Sequence, residues 1–403
     1  MKTKGVSDVN FKNLEACMEM FLSRDRVPGL DCVVYQDHKE IYRYTAGFAD
    51  IEAGRKMQGD EQFLIYSMTK MITCISALQL LEQCKYLLDD PVSMYIPEFE
   101  KMRIAAQETS TNDFDKIATG AGVGNSSAAE SRGYAKNPIR IRDLFTMSSG
   151  LDYDLSSPAI TEAIKNGKKT AGELCRAMAN NILCFEPGTR YQYSLSHDVL
   201  GALVEVWSGM TLGEYMKKNI FIPLGMENTF FDVPKDEKRL SKMAALYTPD
   251  ENRIPKRREL YCEYNLTDEY ESGGAGLCST AEDYATFLDA LACGGVGKTG
   301  ERIISSSAVS LMATDHMTGM SRTCDFEDTI PGYRFGLGVR VHTDKSRSGA
   351  LSPLGEFGWD GAAGGFSLVD MKNKISLTYL QHYMGWERRS RYEITNALYS
   401  CLE

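Results

Sequence analysis

Ser67 and Lys70 stand three residues apart in Ser67-Met68-Thr69-Lys70, at the head of a segment with helical periodicity. Apolar Met71, Ile72, Ile75, Leu78 and Leu81 recur at three- and four-residue steps in the run to Cys84, as on the buried face of a helix. Residues i and i+3 share a helix face, so this spacing predicts that the Lys70 amine reaches the Ser67 hydroxyl. A serine at a helix start also gains from the dipole, which favours negative charge growing on its oxygen. A hydroxyl attacks a carbonyl only when something takes its proton. An amine in a dry pocket suits that task, because desolvation disfavours its charged form. In a chain of 403 residues an S-x-x-K match also arises by chance about once or twice at average composition, so other residues must complete the chemistry.

Acyl transfer needs a second proton carrier and an oxyanion hole. The stretch Pro187-Gly188-Thr189-Arg190-Tyr191-Gln192-Tyr193-Ser194-Leu195 reads as a turn, a short aromatic run and a helix start. Tyr193 can present a phenol there that takes and returns a proton, more readily beside an ammonium. As one of 21 tyrosines it can equally be a packing residue. The third candidate is Phe357-Gly358-Trp359-Asp360-Gly361-Ala362-Ala363-Gly364-Gly365. Small residues on an inner strand let a substrate approach the backbone, where free N–H groups can hold an oxyanion. The same glycines can instead mark a hairpin or bulge.

Other schemes fit the sequence less well. Cys293-Gly294-Gly295-Val296-Gly297-Lys298-Thr299 approximates a phosphate-binding loop, but Ala292 replaces its first glycine and a helix, not a strand, precedes it. Lys298-Thr299-Gly300 spells a known active-site box yet falls in a loop after a glycine-capped helix. No G-x-S-x-G occurs; Gly124-Asn125-Ser126-Ser127-Ala128 is the nearest approach. His38, His197, His316, His342 and His382 lack metal-binding spacing, so neither a metal nor an organic cofactor is expected. His197 follows Tyr193 closely enough to line a pocket, or to serve only as a polar residue at a helix start.

The elements that must carry these groups follow from the hydrophobic pattern. Asn10 to Ser23 reads as an amphipathic helix, and Asp31 to Tyr35 and Glu40 to Ala46 as strands. Ala118 to Gly133, poor in large apolar residues, reads as a mobile surface loop. Helix signals dominate from Ile139 to about Met320. After Tyr333 strands return, at Phe335 to His342, Gly364 to Asp370 and Lys374 to His382, before a last helix from Glu387 to Leu402. The expected fold is α/β (α+β): an antiparallel sheet built from both chain ends, residues 1–95 plus 330–403, flanked by helices, with a mostly helical unit, 96–329, inserted. A net charge of −10 argues against nucleic acid or an anionic membrane surface as partner. No apolar run is long enough to span a membrane, no secretory pattern opens the chain, and the 11 cysteines show neither paired nor zinc spacing. Reduced thiols in a cytoplasmic protein are expected; the oligomeric state is not legible.

The order and surroundings of these segments resemble the serine β-lactamase-related family, which includes class C β-lactamases, D-amino-acid peptidases and β-lactamase-like carboxylesterases. The likeness rests on Tyr66-Ser67-Met68-Thr69-Lys70, on Leu88 to Pro97, on Ile141 to Leu151, on Pro187-Gly188-Thr189-Arg190 and on Gly276 to Tyr284. It implies Ser67 as nucleophile, Lys70 as its proton partner and Tyr193 as the tyrosine of the second box. It places the third box on Trp359-Asp360-Gly361 and the oxyanion hole at the N–H groups of Ser67 and Ala362. Two departures bear on substrate. Leu195 stands where β-lactamases carry an asparagine, and Trp359 replaces the lysine that attracts a substrate carboxylate, with acidic Asp360 beside it. Both favour a neutral ester over a β-lactam or a carboxylate-ended D-peptide. The expected partner is thus a small-molecule ester or amide. A D-amino-acid peptidase, a weak class C-like β-lactamase and a non-catalytic acyl-binding sensor are the alternatives.

Overall fold

The computed structural model describes residues 10–107, 130–231, 237–317, 320, 326, 329–384 and 387–402. Its centre is an eight-stranded antiparallel sheet. Three strands come from the first part of the chain: β1 (Gly29–Gln36), β2 (Lys39–Asp50) and β3 (Arg55–Lys56). Five come from the last: β4 (Tyr333–Phe335), β5 (Arg340–His342), β6 (Phe357–Gly358), β7 (Phe366–Asp370) and β8 (Ile375–Gln381). The order β4-β5-β6-β7-β8-β1-β2-β3 joins the two ends of the chain at the β8–β1 pairing, where Val33 lies opposite Thr378 and Cys32 opposite Tyr379.

Alternation explains why β1 is buried on both faces. Leu30, Cys32 and Val34 point to one core, shared with Leu14, Met18 and Phe21 of helix α1 (Lys12–Ser23) and with Ile394 and Leu398 of α5 (Arg388–Tyr399). Val33 and Tyr35 point to the larger core on the other face, with helix α2 (Thr69–Glu82), α3 (Ser196–Ser208) and α4 (Ala281–Ala292). Helix α2 is buried almost all round, from Thr69 to Leu80, as befits a helix sandwiched between the sheet and α3.

Several expectations need correction. The strand read from Phe335 to His342 is two strands joined by a turn, closed by Gly336 N–H donating to Val339 O at 2.8 Å. Gly338 makes that turn with φ +83°, and a Cβ there would lie 2.3 Å from Cys74 Sγ. The middle of the chain is not purely helical. It holds short pairings such as Phe63–Leu64 with Leu277–Ser279, and Arg103–Ala105 with Ile182–Leu183. The surface-loop reading of 118–133 falls mostly outside the described residues, but Ser131–Tyr134 is a strand antiparallel to Arg103–Ala105. Helix α4, assigned from sequence to the inserted unit, lies against the sheet, where the Tyr35 hydroxyl donates to Glu282 at 2.7 Å. Its apolar face (Tyr284, Phe287, Leu288, Leu291) has to be buried somewhere, and the sheet supplies the place. The rejected Lys298-Thr299-Gly300 is an exposed turn whose glycine N–H groups are consumed locally, Gly297 N on Glu301 O and Gly300 N on Gly297 O.

Candidate active site

The segment around Ser67 is a single 3-10 turn, Tyr66–Met68, that runs directly into α2. Ser67 therefore precedes the helix rather than opening it, and Lys70 lies in the first helical turn. Tyr66 has φ +47°, a left-handed conformation that costs a bulky residue about 1–3 kcal/mol. Neighbours enforce it. Ile65 N–H donates to Leu277 O at 3.1 Å, and the Tyr284 hydroxyl donates to Met68 O at 2.9 Å. The strained turn lifts Ser67 to a half-buried position while Tyr66, Met68 and Lys70 stay inside.

Two groups converge on Ser67 Oγ. Tyr193 Oη lies 2.7 Å away and Lys70 Nζ 3.2 Å away. Lys70 also donates to the Gly274 carbonyl at 2.6 Å, approaches the Tyr153 hydroxyl at 3.5 Å, and sits 4.6 Å from the centre of the Tyr193 ring. The Tyr193 ring is fixed by parallel stacking on Tyr153, with ring centres 5.3 Å apart, and by Trp359 at 6.0 Å. Amine, phenol and hydroxyl thus share one site, arranged for proton transfer among them.

The glycine-rich segment closes the site from the sheet side. A Cβ on Gly361 would lie 2.6 Å from Ile65 O, and one on Gly365 would lie 2.5 Å from Met68 Sδ. Small residues are needed here so that the β6–β7 connection can touch the Tyr66–Met68 turn. Gly361 N–H donates to Gly365 O and Gly364 N–H to Gly361 O, a tight turn that carries Ala362 at its tip. Trp359 is buried against Tyr193, Phe335 and Phe326, forming an aromatic wall with no cation in the position of Trp359. Leu195, also buried, donates its N–H to Asp152 O at 2.9 Å and caps α3 with an apolar side chain.

Asp360 differs from expectation. Its carboxylate accepts from Arg340 Nη1 at 2.9 Å and from Arg391 Nε at 3.0 Å, so its charge is matched rather than offered to a substrate. Those arginines are 20 and 31 residues away in sequence, and no local pattern announces them. Arg340 is fully buried and also donates to Ser367 O at 2.6 Å. Asp360→Ala is therefore expected to destabilise the fold by about 3 kcal/mol, because it removes the carboxylate partner of the buried Arg391 and leaves Arg340 only Glu356, at 3.5 Å. Urea unfolding checks this. Unchanged stability with a selective rise in KM would instead return Asp360 to the substrate site.

His197 does not line the site. It lies in the core with Nε2 3.2 Å from Phe145 O and 3.6 Å from Cys74 Sγ. Burial first, then the nearby Lys70 charge, pushes its pKa down to about 3, so the imidazole stays neutral. Tyr153, Tyr264 and Gly274 surround the reactive groups and were not expected; Tyr264 packs edge-on against both Tyr66 and Tyr153. Tyr153 lies two residues beyond Leu151, and nothing in its spacing distinguishes it from other tyrosines. Among the described residues, Asp37, His38 and Cys293 bring ligand-type atoms within 4.8 Å of one another at the β1–β2 hairpin. There Asp37 already pairs with Lys374 and His38 with Asp289, each at 2.8 Å, and none of them contributes to the Ser67 site.

An antiparallel sheet flanked by helices, with serine, lysine and tyrosine joined beside its β6–β7 connection, defines the β-lactamase-like class of serine hydrolases. The chain belongs to the Beta-lactamase family, which matches residues 12–400. It is similar to protein Rv1367c of Mycobacterium tuberculosis, with 30% identity covering 93% of this chain and 90% of that protein. It is 27% identical to esterase EstB of Burkholderia gladioli, over 96% of this chain and 94% of EstB. Among solved structures it resembles EstCE1, described as a hydrolase with promiscuous acyltransferase activity, with a TM-score of 0.75, 26% identity and coverage of 96% and 98%.

Proposed function

We propose that the protein is a carboxylesterase that cleaves small neutral esters through an acyl-enzyme on Ser67. The observation that carries this reading is Ser67 Oγ held between Tyr193 Oη at 2.7 Å and Lys70 Nζ at 3.2 Å. The Ser67 proton passes to the Tyr193–Lys70 pair as Oγ bonds to the ester carbonyl carbon. The carbonyl oxygen becomes an oxyanion facing the N–H groups of Ser67 and Ala362. The intermediate collapses, the alcohol leaves with the proton, and water repeats the sequence to release the acid.

Substrate class follows from the walls. Trp359, Tyr153 and Tyr264 are aromatic, Leu195 offers no amide, and the Asp360 charge is balanced by Arg340 and Arg391. Such walls favour apolar, uncharged acyl or alcohol groups over carboxylate-bearing substrates. The esterase EstB relationship supports the same choice. A panel under identical conditions tests it. p-Nitrophenyl butyrate should be turned over at least tenfold faster, by kcat/KM, than a D-alanyl amide or nitrocefin, a difference of about 1.4 kcal/mol in barrier. Equal or faster turnover of nitrocefin would move the assignment to a β-lactamase.

A second reading, acyl transfer to an alcohol, is favoured by the aromatic enclosure of the site and by the similarity to EstCE1. Adding an alcohol to the ester assay distinguishes it, since a transferase forms the new ester in preference to the free acid. A cytoplasmic location belongs to the same proposal. The described cysteines are all free and mostly buried, and no described helix is long and apolar enough to cross a membrane.

A further inference from the structure

Gly273 and Gly274 thread between α2, which carries Lys70, and α3. A Cβ on Gly273 would lie 2.5 Å from His197 O, and one on Gly274 would lie 2.5 Å from Asp198 Oδ2 and 3.4 Å from Lys70 Nζ. Only glycine leaves room there, so the lysine amine and the Asp198 carboxylate face each other across one peptide unit. On one side the Gly274 carbonyl accepts from Lys70 at 2.6 Å. On the other, Asp198 sits in the first turn of α3, buried, with Oδ1 accepting from Ser272 Oγ at 2.7 Å and Tyr270 Oη at 3.0 Å.

Asp198 Oδ2 has no side-chain donor at hydrogen-bond distance among the described residues, and only the uncharged Gly274 N–H favours the ionised carboxylate from that side. A carboxylate so enclosed is costly unless a positive charge compensates it. The hydrogen-bond partners of Lys70, namely Ser67, Tyr153 and Gly274, are all uncharged. Each group therefore supplies what the other lacks. Resting on the reading of Ser67 and Lys70 as nucleophile and proton partner, we propose that Asp198 is a positioning residue for that reaction. Its carboxylate, held by Ser272 and Tyr270, is the buried counter-charge that keeps the Lys70 ammonium seated on the Gly274 carbonyl and aimed at Ser67.

The chemical consequence is a division of labour. With Lys70 kept as an ammonium, the Ser67 proton moves to a Tyr193 phenolate as the Oγ–carbon bond forms and the carbonyl electron pair shifts to oxygen. Tyr193 returns the proton to the alcohol oxygen as the ester C–O bond breaks. The resting site reaches this state by losing one proton shared between Tyr193 and Lys70. A negative charge nearby holds that proton, so removing the charge lets it leave at lower pH.

The other titratable groups around the pair keep one charge through the working range. His197, facing Lys70, is held neutral with its pKa down at about 3. Burial pushes Cys74, Tyr153 and Tyr264 on the lysine side, and Cys175 and Tyr270 on the aspartate side, above their ordinary values. Burial also raises Asp198 itself, against Ser272, Lys70, Tyr270 and the Gly274 N–H, which favour its ionised form.

Asp198→Asn, close to isosteric, tests the assignment. The acidic limb of kcat/KM for p-nitrophenyl butyrate should move to lower pH by about one unit, with kcat falling more than KM rises. An unmoved limb, with activity lost only in step with thermal stability, overturns the proposal and leaves Asp198 a structural residue. Should D198N not fold, the wild-type enzyme decides through NMR of isotope-labelled aspartate carboxyls. An ionised Asp198 across the pH range of activity supports the counter-charge, and a protonated one overturns it. Ser67→Ala separates the two levels. Persisting turnover in S67A removes the underlying reading, whereas turnover lost in S67A with an unmoved limb in D198N removes only the role of Asp198.

Discussion

Ser67→Ala is expected to abolish ester turnover, with kcat falling by about 10⁴-fold or more, since no other described hydroxyl occupies the meeting point of Lys70 and Tyr193. Loss of a nucleophile removes the covalent route itself, so the effect belongs in kcat. The fold should tolerate the change. Ser67 is half-buried, and the strained turn at Tyr66 is held by the Leu277 carbonyl and the Tyr284 hydroxyl, neither of which involves its side chain. Two measurements check this: p-nitrophenyl butyrate hydrolysis, and intact mass after a fluorophosphonate probe. The wild type should gain one adduct and S67A none. Retention of most of the turnover, or of the adduct, would remove Ser67 from the mechanism. An adduct on the wild type with no ester turnover would instead mark a protein that captures acyl groups without releasing them.

Tyr193→Phe is expected to lower kcat by about 10²–10⁴-fold, the range spanned by loss of a positioned acid–base group. The phenol oxygen is 2.7 Å from Ser67 Oγ, and Phe deletes only that atom. The ring keeps its stacking on Tyr153 at 5.3 Å and its contact with Trp359 at 6.0 Å, so binding and folding should change little. A fall in kcat and in kcat/KM by the same factor indicates an interaction made in the transition state. A rise in KM alone would show Tyr193 to be part of the binding wall, with Lys70 carrying the proton unaided.

Much of this site was legible before any coordinates. The Ser67–Lys70 relation is local: three residues on a turn and helix must place an amine near a hydroxyl, whatever surrounds them. The first strand of the sheet was legible as Asp31 to Tyr35, a short, mostly apolar run that the structure buries with a core on each face. Other features required the fold. Tyr193 meets Ser67 across 126 residues, and periodicity says nothing about which of 21 tyrosines will do so. The misread role of Asp360 shows the same limit. A carboxylate beside a binding wall looks like a substrate contact until Arg340 and Arg391 arrive from other strands and helices. The turn at Gly336 to Val339 was missed because Gly338 answers to a steric demand from Cys74, on a distant helix.

By itself, then, the sequence determined the juxtaposition of Ser67 with the Lys70 amine, the antiparallel sheet built from both chain ends, and the small-residue segment that closes on them. Each is set by contacts between residues near in the chain or by burial of a repeating apolar face. Tertiary structure alone decided which phenol reaches the serine, which charges cancel around Asp360, and why two glycines separate Lys70 from Asp198. Those depend on distances between segments far apart in the chain, where an ångström decides whether a side chain bonds, clashes or faces nothing, and the order of residue types does not encode such distances locally.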